Sequence, residues 1–408
     1  MQIVNKIAVI GGGAAGFFSA ITAKKQFPDA SVTIFEKSNK VLAKVKVSGG
    51  GRCNVTHACF DNKKLASYYP RGANFLRKAF EQFNTTSTIE WFKERGIGLD
   101  TLADSCIFPS SNSSQTIIDC FEKEARELGV VVLIQTPIHG IRSCENGVFV
   151  LESLNDNFEA TRIIFTIGGQ PKLATLSCLS NLGHPIIPPV PSLFTFNMPN
   201  ESVKELMGIV VEKTVVRIEA SKWEASGPLL ITHWGMSGPA ILKLSAFAAR
   251  DLAEKGYRFA VLINWLSEMK EDNARVILAK AKMDASDKKI ANYNPFGLST
   301  RFWCFLIQKS GVSIEARWKE LSIKSTNRLV NNLINDRYSV EGKTTFKEEF
   351  VTAGGVSLDK VDVKTMQSKL IPGLFFAGEV MDIDGVTGGF NFQAAWTTGY
   401  IAGKNAGV

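Results

Sequence analysis

The sequence predicts an α/β fold: a domain built on a parallel sheet, carried by both ends of the chain and split by an insert of strands and helices. Three observations predict it. The chain opens with an apolar strand, a glycine-spaced turn, a helix and a second strand ending in an acid. It closes with a short apolar strand, an acidic glycine-rich loop and a run with helical spacing. From residue 192 the pattern changes to antiparallel-type strands and amphipathic helices.

Residues 3–10 are the first strand, and Gly11, Gly13 and Gly16 follow at GxGxxG spacing around Ala14 and Ala15. Residues 17–26 are a helix. Residues 31–35 are a second strand that runs into Glu36 and Lys37. In this context the first glycine makes the turn, the second admits a diphosphate and the third lets helix pack on strand. The acid then takes ribose hydroxyls. Glu36, in place of an arginine, favours an unphosphorylated ribose, as in FAD or NAD.

Residues 44–54 read KVKVSGGGRCN. Gly49, Gly50 and Gly51, set between Ser48 and Arg52, let backbone lie against something flat or charged. A merely flexible loop has no need of the cation, thiol and amide of Arg52, Cys53 and Asn54. Residues 62–83 interleave Lys63, Lys64, Arg71, Arg77 and Lys78 with Tyr68, Tyr69, Phe75 and Phe80. That suits single-stranded nucleic acid, with charge for phosphate and rings for bases. The plainer reading is an amphipathic helix that buries Phe75, Leu76 and Phe80.

Residues 85–96 and 113–128 read as helices, and 130–135, 147–151 and 162–166 as strands. The last strand ends in Thr166-Ile167-Gly168-Gly169, another close backbone approach to a cofactor. Ile138 follows a strand, where it either covers an adenine ring or packs in the core. The proline cluster 185–191 marks a boundary. The expected domains are therefore 1–191, an insert over 192–351, and 352–408. Strands at 193–196, 209–218, 221–232 and 258–265 form an antiparallel sheet or barrel. Helices are expected over 240–255, 268–283, 301–308 and 325–335, then a strand over 345–351.

In the closing stretch, a strand over 374–377 runs into Gly378 and Glu379. The loop with Asp382, Asp384, Gly385, Gly388 and Gly389 follows, then a helix from Phe390. Backbone N–H groups at that helix start favour negative charge. A carboxylate beside them suits a hydroxylated chain such as ribitol. The chain thus reads as a flavoprotein closed by its own C-terminal part.

Composition sets the broad class. Hydrophobic residues at 45% and charged residues at 21% match a soluble globular protein. No apolar run reaches the ~18 residues of a membrane span, and no secretory signal opens the chain. Seven Cys, an odd number without framework spacing, predict reduced thiols and a cytoplasmic location. The net charge of +8 leaves two readings open, a solvated surface or contact with a polyanion. Residues 192–351 hold 23 Lys and Arg against 18 Asp and Glu, and so carry most of that excess.

The segments SGGGRCN, THWGMSGPA, VTAGGV and FAGEVMDIDGVTGGFNFQAAWTTG resemble the HI0933-like (BaiN/RdsA-type) bacterial flavoproteins. These sit within the glutathione-reductase-like FAD superfamily. The resemblance covers essentially the whole chain. It implies a Rossmann-like FAD-binding domain split by an inserted β-barrel plus helical domain, and a bound FAD. It places the AMP half on Gly11, Gly13, Gly16 and Glu36, with Ile138 near the adenine. The ribitol and flavin ring would lie against Ser48, Gly49, Gly50, Arg52, Cys53, Asn54, Glu379, Asp382, Asp384, Gly389, Phe390, Asn391, Phe392 and Gln393. Ala14, Ala15, Lys37, Lys44, Gly51, Thr166, Gly168, Gly169, Gly378 and Gly385 complete the expected contacts. The helix starting at Phe390 would set its dipole on the N1–O2 edge of reduced flavin. One departure is visible: the family's usual Gly-Arg-Lys lead into the glycine loop is here Leu42-Ala43-Lys44-Val45-Lys46.

The resemblance implies reduction of carbon–carbon double bonds, of uridine in large-subunit ribosomal RNA or of a bile-acid intermediate. Such a reduction also needs a proton. Cys53, next to Arg52, offers one, and so does His233 beside Trp234 if the insert roofs the flavin. Each has a plainer reading, Cys53 as packing and His233 as a structural histidine. Cys53, His57 and Cys59 fit no standard zinc spacing, so no metal is expected. No second GxGxxG follows a strand. NAD(P)H would therefore meet the flavin transiently, or another reductant serves. Three functions compete: a reductase of ribosomal RNA, a reductase of a small steroid-like metabolite, and a non-catalytic flavin-containing RNA-binding factor.

Overall fold

The computed structural model describes residues 5–144, 147–154, 156–344 and 351–407. Contacts divide the chain into two compact units, 1–192 with 346–408, and 193–345.

In the first unit β1 (Lys6–Ile10) turns through glycines into α1 (Ala14–Gln26), and β2 (Ser31–Phe35) lies parallel beside β1. Next come α2 (Ala43–Gly51), β3 (Thr56–His57), α3 (Asn62–Ala66), α4 (Ala73–Ala79) and α5 (Thr85–Lys93). β4 (Leu99–Thr101), β5 (Cys106–Pro109) and α6 (Ser114–Glu127) precede β6 (Val131–Leu133), which rejoins the sheet beside β2. An antiparallel meander of β7 (Ile138–Ser143), β8 (Phe149–Ser153) and β9 (Asn157–Ala160) leads to β10 (Arg162–Phe165). α7 (Ser177–Asn181) and β11 (Ile186–Ser192) end this stretch.

The second unit contains β12 (Thr195–Asn197), β13 (Val210–Ile218), β14 (Glu224–Ile231), β15 (Gly235–Ser237), α8 (Pro239–Phe247) and α9 (Ala249–Glu254). β16 (Arg258–Asn264), α10 (Glu271–Asp284), α11 (Thr300–Lys309), α12 (Ile323–Ile334), β17 (Asp336–Glu341) and β18 (Lys343–Thr344) follow. The first unit then resumes with β19 (Val351–Val356), β20 (Leu374–Phe376) and α13 (Phe390–Asn405).

The parallel sheet runs β20-β10-β1-β2-β6. Its near-continuous apolar strands suit a sheet covered on both faces. One edge comes from the far end of the chain: β20 pairs with β10, Phe376 opposite Phe165. α13 lies along α1 so closely that a Cβ at Gly403 would stand 2.4 Å from the Ser19 carbonyl oxygen. Below the pair sits an aromatic core. Phe18, fully buried, meets Trp91 at 4.7 Å and Trp396 at 5.5 Å, and Phe121 meets Trp396 at 5.4 Å. Four helices, α1, α5, α6 and α13, therefore share one cluster. Truncating a ring of this kind costs about 3–5 kcal/mol.

The proline cluster, expected to mark a boundary, forms strand β11, antiparallel to β19, where the first part of the first unit ends at Ser192. Its register slips between Ile187 and Val190, so Pro188 and Pro189, which cannot donate, fall on the irregularity. The expected barrel is a seven-stranded sheet, β17-β16-β13-β14-β15-β12-β18, and no ladder closes it among the described residues. β17 and β18 are separated in the chain only by Gly342, whose N–H donates to Tyr257 O and whose carbonyl accepts the Asn197 N–H, so one bent stretch of chain borders β16 on one side and β12 on the other. The expected strand over 345–351 lies, apart from Val351, outside the described residues. Among those residues no helix is long and apolar enough to cross a membrane.

His184 gives this fold a pH signature. It is buried, with Nε2 2.7 Å from Ser368 Oγ and its ring edge-on to Phe376. Burial pulls its pKa below the ordinary 6.5, against the Leu179 backbone contact that raises it. The unfolded chain therefore takes up the proton first. The stability this group contributes is complete above about pH 6.5 and is lost as pH falls below it. Thermal unfolding between about pH 7.5 and about pH 5.5 should show a declining midpoint that His184→Gln flattens. Equal slopes in the two proteins would remove His184 as the cause.

Candidate functional site

The glycine turn after β1 is locked by Thr166, whose hydroxyl donates to the Gly11 carbonyl at 2.9 Å. The Gly11 N–H donates to Phe35 O at 2.8 Å. A Cβ at Gly16 would stand 1.9 Å from Gly11 O, so only glycine lets α1 pack here. Gly13 is different. It caps α1 with φ −92°, and a Cβ there would meet nothing within 4 Å. The first-turn N–H groups of α1 have no partner within the helix. No acidic residue occupies that turn. The space above Gly13 is therefore a place for an anion. Beside it, Glu36 accepts the Gly12 N–H at 2.8 Å and the Ser38 N–H and hydroxyl at 2.8 Å each. The carboxylate is held in place with acceptor capacity left for sugar hydroxyls. Lys37 is exposed, and Ile138, half-buried, opens β7.

α2 leaves helical geometry at Ser48. Gly49, Gly50 and Gly51 then take φ of 58°, 68° and 84°. Such a left-handed run makes a concave nest of N–H groups. Cβ atoms at Gly50 and Gly51 would meet open space. Arg52 holds the nest from behind, its Nε donating to Gly49 O at 3.1 Å and its guanidinium lying 4.3 Å from the Phe108 ring centre. Cys53 has a φ of 64° and is 0% exposed. Burial pushes its thiol up to about 12, against a hydrogen bond with Ser48. This bears on its expected role as proton donor: the group stays a thiol at neutral pH and parts with its proton reluctantly.

The C-terminal segment meets this loop. The Asn54 amide, oriented to satisfy both its ends, donates to Thr56 O at 2.9 Å and accepts from the Gly389 N–H at 3.2 Å. Gly389 caps α13 at φ 87°. Gln393, 0% exposed, accepts from the Thr56 and Thr88 hydroxyls and donates to Thr397 Oγ. The Asn391 amide both donates to and accepts from the Gly385 backbone. Phe390 packs on both His57, at 4.7 Å, and Tyr68, at 4.3 Å, whose own rings lie 5.6 Å apart, and Phe392 stacks on Trp396. Asp384 is fully buried. Its carboxylate takes a bidentate Arg71 and the Ser192 hydroxyl. Burial drives this carboxyl above its ordinary range, and Arg71 opposes the shift. Asp384, Asn391 and Gln393 thus direct polar atoms into the protein and shape the loop. Asp382 is half-buried.

Glu379 stands at the junction. It accepts Lys44 Nζ at 2.9 Å and the Thr352 N–H at 2.8 Å. Gly169 fits against it: a Cβ there would lie 2.3 Å from Glu379 Oε1. Gly168, at φ 70°, faces open space, and Gly378 abuts Ala15. The buried Thr352 hydroxyl has no hydrogen-bond partner among the described residues. Sequence reasoning missed Thr352, Arg71 as a buried cation, and His57 and Tyr68 as a stack on Phe390. Only the TAGG motif around Thr352 hinted at any of them.

The arrangement fits an extended dinucleotide. It offers donors for a diphosphate at Gly13, a held acid for ribose, a nest for a flat edge and an unpartnered hydroxyl for a polyol. In the stretch 62–83, Tyr69, Leu76 and Phe80 are buried, Tyr68 and Phe75 are half-buried, and Lys63, Lys64, Arg77 and Lys78 are the exposed cations. Leu76 and Phe80 are core, as the helix reading expects, and Phe75 is half-buried. His233 belongs to the second unit, exposed at the β14–β15 turn with its ring 4.2 Å from Trp234.

A family model described as the HI0933-like protein Rossmann domain matches residues 5–405, and the chain belongs to that family. It is similar to a 3-dehydro-bile acid delta(4,6)-reductase from Clostridium scindens, 28% identical over 99% of each chain. It is also similar to a ribosomal RNA dihydrouridine synthase from Haemophilus influenzae, 26% identical over 98% of each. The Escherichia coli protein of that name is 26% identical over 97% of this chain and 96% of that one. A solved 3-ketosteroid-delta4-(5alpha)-dehydrogenase from Rhodococcus jostii RHA1 shares the fold, with a TM-score of 0.53 at 13% identity over 99% of this chain and 97% of that one.

Two glycines separate cradle from scaffold. Gly13→Ala should leave the stability of flavin-free protein within about 0.5 kcal/mol yet cut bound flavin, read by visible absorbance, roughly tenfold. Gly16→Ala should lower stability itself by about 1–3 kcal/mol. Full flavin occupancy in Gly13→Ala would remove the diphosphate assignment.

Proposed function

We propose that this member of the HI0933-like family, a flavin-dependent oxidoreductase by that membership, reduces a carbon–carbon double bond conjugated to a carbonyl. We propose further that the bond is that of uridine in large-subunit ribosomal RNA. The observation that carries the reading is the open glycine rim. Gly13 and Gly50–Gly51 leave space that no side chain fills, within a unit closed by the C-terminal helix.

FAD, when bound, supplies the hydride for such a reduction. This chain's residues bind and orient. The first-turn N–H groups of α1 take the diphosphate, and Glu36 takes ribose hydroxyls. The nest at Gly49–Gly51 receives a flat edge, backed by Arg52 on Phe108. Glu379, steadied by Lys44 and the Thr352 N–H, and the Thr352 hydroxyl face the polyol. A proton must also reach the carbon beside the carbonyl. Cys53, in the same unit as the cradle, is the candidate donor, and NAD(P)H is the proposed source of electrons.

Support for the substrate comes from two kinds of observation. The names of the relatives describe one chemistry: a delta(4,6) double-bond system beside a 3-oxo group and the uracil double bond are both conjugated to carbonyls. The +8 charge favours the polyanion. A small unsaturated ketone is the second reading, favoured by the 28% identity to the bile-acid reductase over 99% of both chains.

Mass spectrometry of nucleosides from large-subunit rRNA should show dihydrouridine lost in a deletion strain and restored by wild type, but not by Gly13→Ala. Undiminished dihydrouridine would end the rRNA reading. Reoxidation of the reduced protein by a 3-oxo-4,6-diene steroid would then establish the second.

A further inference from the structure

The chain's positive charge is concentrated. Residues 271–328, from the start of α10, hold 11 Lys and Arg against 6 Asp and Glu, a net +5 in a chain whose total is +8. This stretch lies wholly in the second unit, in and between α10, α11 and the start of α12. Backbone contacts gather much of it into one surface. The Lys319 N–H donates to Ser286 O at 3.0 Å, and the Trp318 N–H donates to Lys288 O at 3.1 Å. Lys282 Nζ donates to Leu321 O at 2.8 Å. The buried Trp318 pins the surface from beneath.

Three carboxylates serve this surface as braces. Asp287 pairs with Lys319 at 2.8 Å and Arg317 at 3.9 Å, Glu315 pairs with Lys289, and Glu320 accepts the Arg317 N–H. Asp284, exposed at the end of α10, stays outside those pairs. Lys282, Lys288 and Lys324 are exposed and face no carboxylate among the described residues. The first turn of α12 has Lys324 and no acid. That placement is unfavourable for helix stability, because a cation meets the positive end of the helix dipole. Among these cations stand two apolar side chains, Met283 at 81% and Ile323 at 83% exposed. Positive charge interspersed with exposed apolar contact suits a polyphosphate with bases attached.

We propose that this face, centred on Lys282, Lys288, Lys319 and Lys324, is the docking surface for ribosomal RNA. The proposal rests on the rRNA reading of the function. Phosphates would displace counterions at the lysines, and Met283 and Ile323 would meet sugar or base.

The test uses full-length holoprotein and transcribed large-subunit rRNA, with affinity measured across a salt series. Lys288→Ala/Lys319→Ala/Lys324→Ala should weaken binding roughly tenfold or more at low salt. It should also flatten the slope of log affinity against log salt by about 2–3, near 0.7–0.9 per lost phosphate contact. Its flavin content should match wild type. Lys63→Ala/Lys64→Ala/Arg77→Ala, an equal charge loss elsewhere, should change the slope far less. An unchanged slope in the first variant, or an equal change in the second, overturns the surface while leaving the rRNA reading intact. No salt-dependent binding by wild type overturns both. If the first variant keeps rRNA affinity but loses binding to vesicles of anionic phospholipid, the face is a membrane surface and the proposal falls.

Discussion

The return of the chain's last segment to its first holds the structure together. β20 adds the final parallel strand beside β10, and α13 lies on α1 at a separation set by Gly403. Everything else follows from keeping those pairings while 193–345 intervenes. Closing a long loop adds only about 0.6 kcal/mol per doubling of its length. Such an insert is therefore tolerated if its two ends are brought side by side. β11 and β19 do this, pairing Ser192 with Val351 where the chain leaves and returns. The two prolines sit where the ladder is already irregular.

Polar contacts then set the register of the C-terminal loop. Arg71 to Asp384, Asn54 to Gly389 and Gln393 to Thr56 each link residues more than 300 apart in sequence. A buried ion pair contributes little net stability, because desolvation offsets attraction. Its effect here is geometric. With Asp384 fixed by Arg71 and Ser192, and Gly385 fixed by Asn391, the loop presents its backbone in one arrangement. The proposed cofactor cradle is thus made mainly of backbone and small residues, and charged side chains stand behind it. That division suits an anionic cofactor, whose oxygens are satisfied by N–H groups that need no rotamer ordering.

Much of this was legible in the sequence. GxGxxG followed by a helix and an acid fixes the strand–turn–helix geometry of Lys6–Gln26, because few local geometries satisfy that glycine spacing. The SGGGRCN loop and the closing glycine-rich loop pointed to backbone close to a ligand, and the left-handed run at Gly49–Gly51 has that form. The helices of the second unit, including α10, α11 and α12, follow their apolar spacing.

What the sequence alone could determine was local: which stretches turn, which pair as strands, and which backbone must stay bare. It could not determine which polar groups face inward. Arg71 reads as a surface cation and Asp384 as a ligand group until burial joins them. Strand β17 begins with the buried aspartate Asp336. Only Lys309, Trp265 and Tyr338, from distant or folded-together positions, make Asp336 buriable. The aromatic residues of 62–83 likewise look free to stack on bases until Tyr68 meets Phe390 and Phe80 enters the core. Burial and pairing are properties of neighbours remote in sequence, so only tertiary structure decides them.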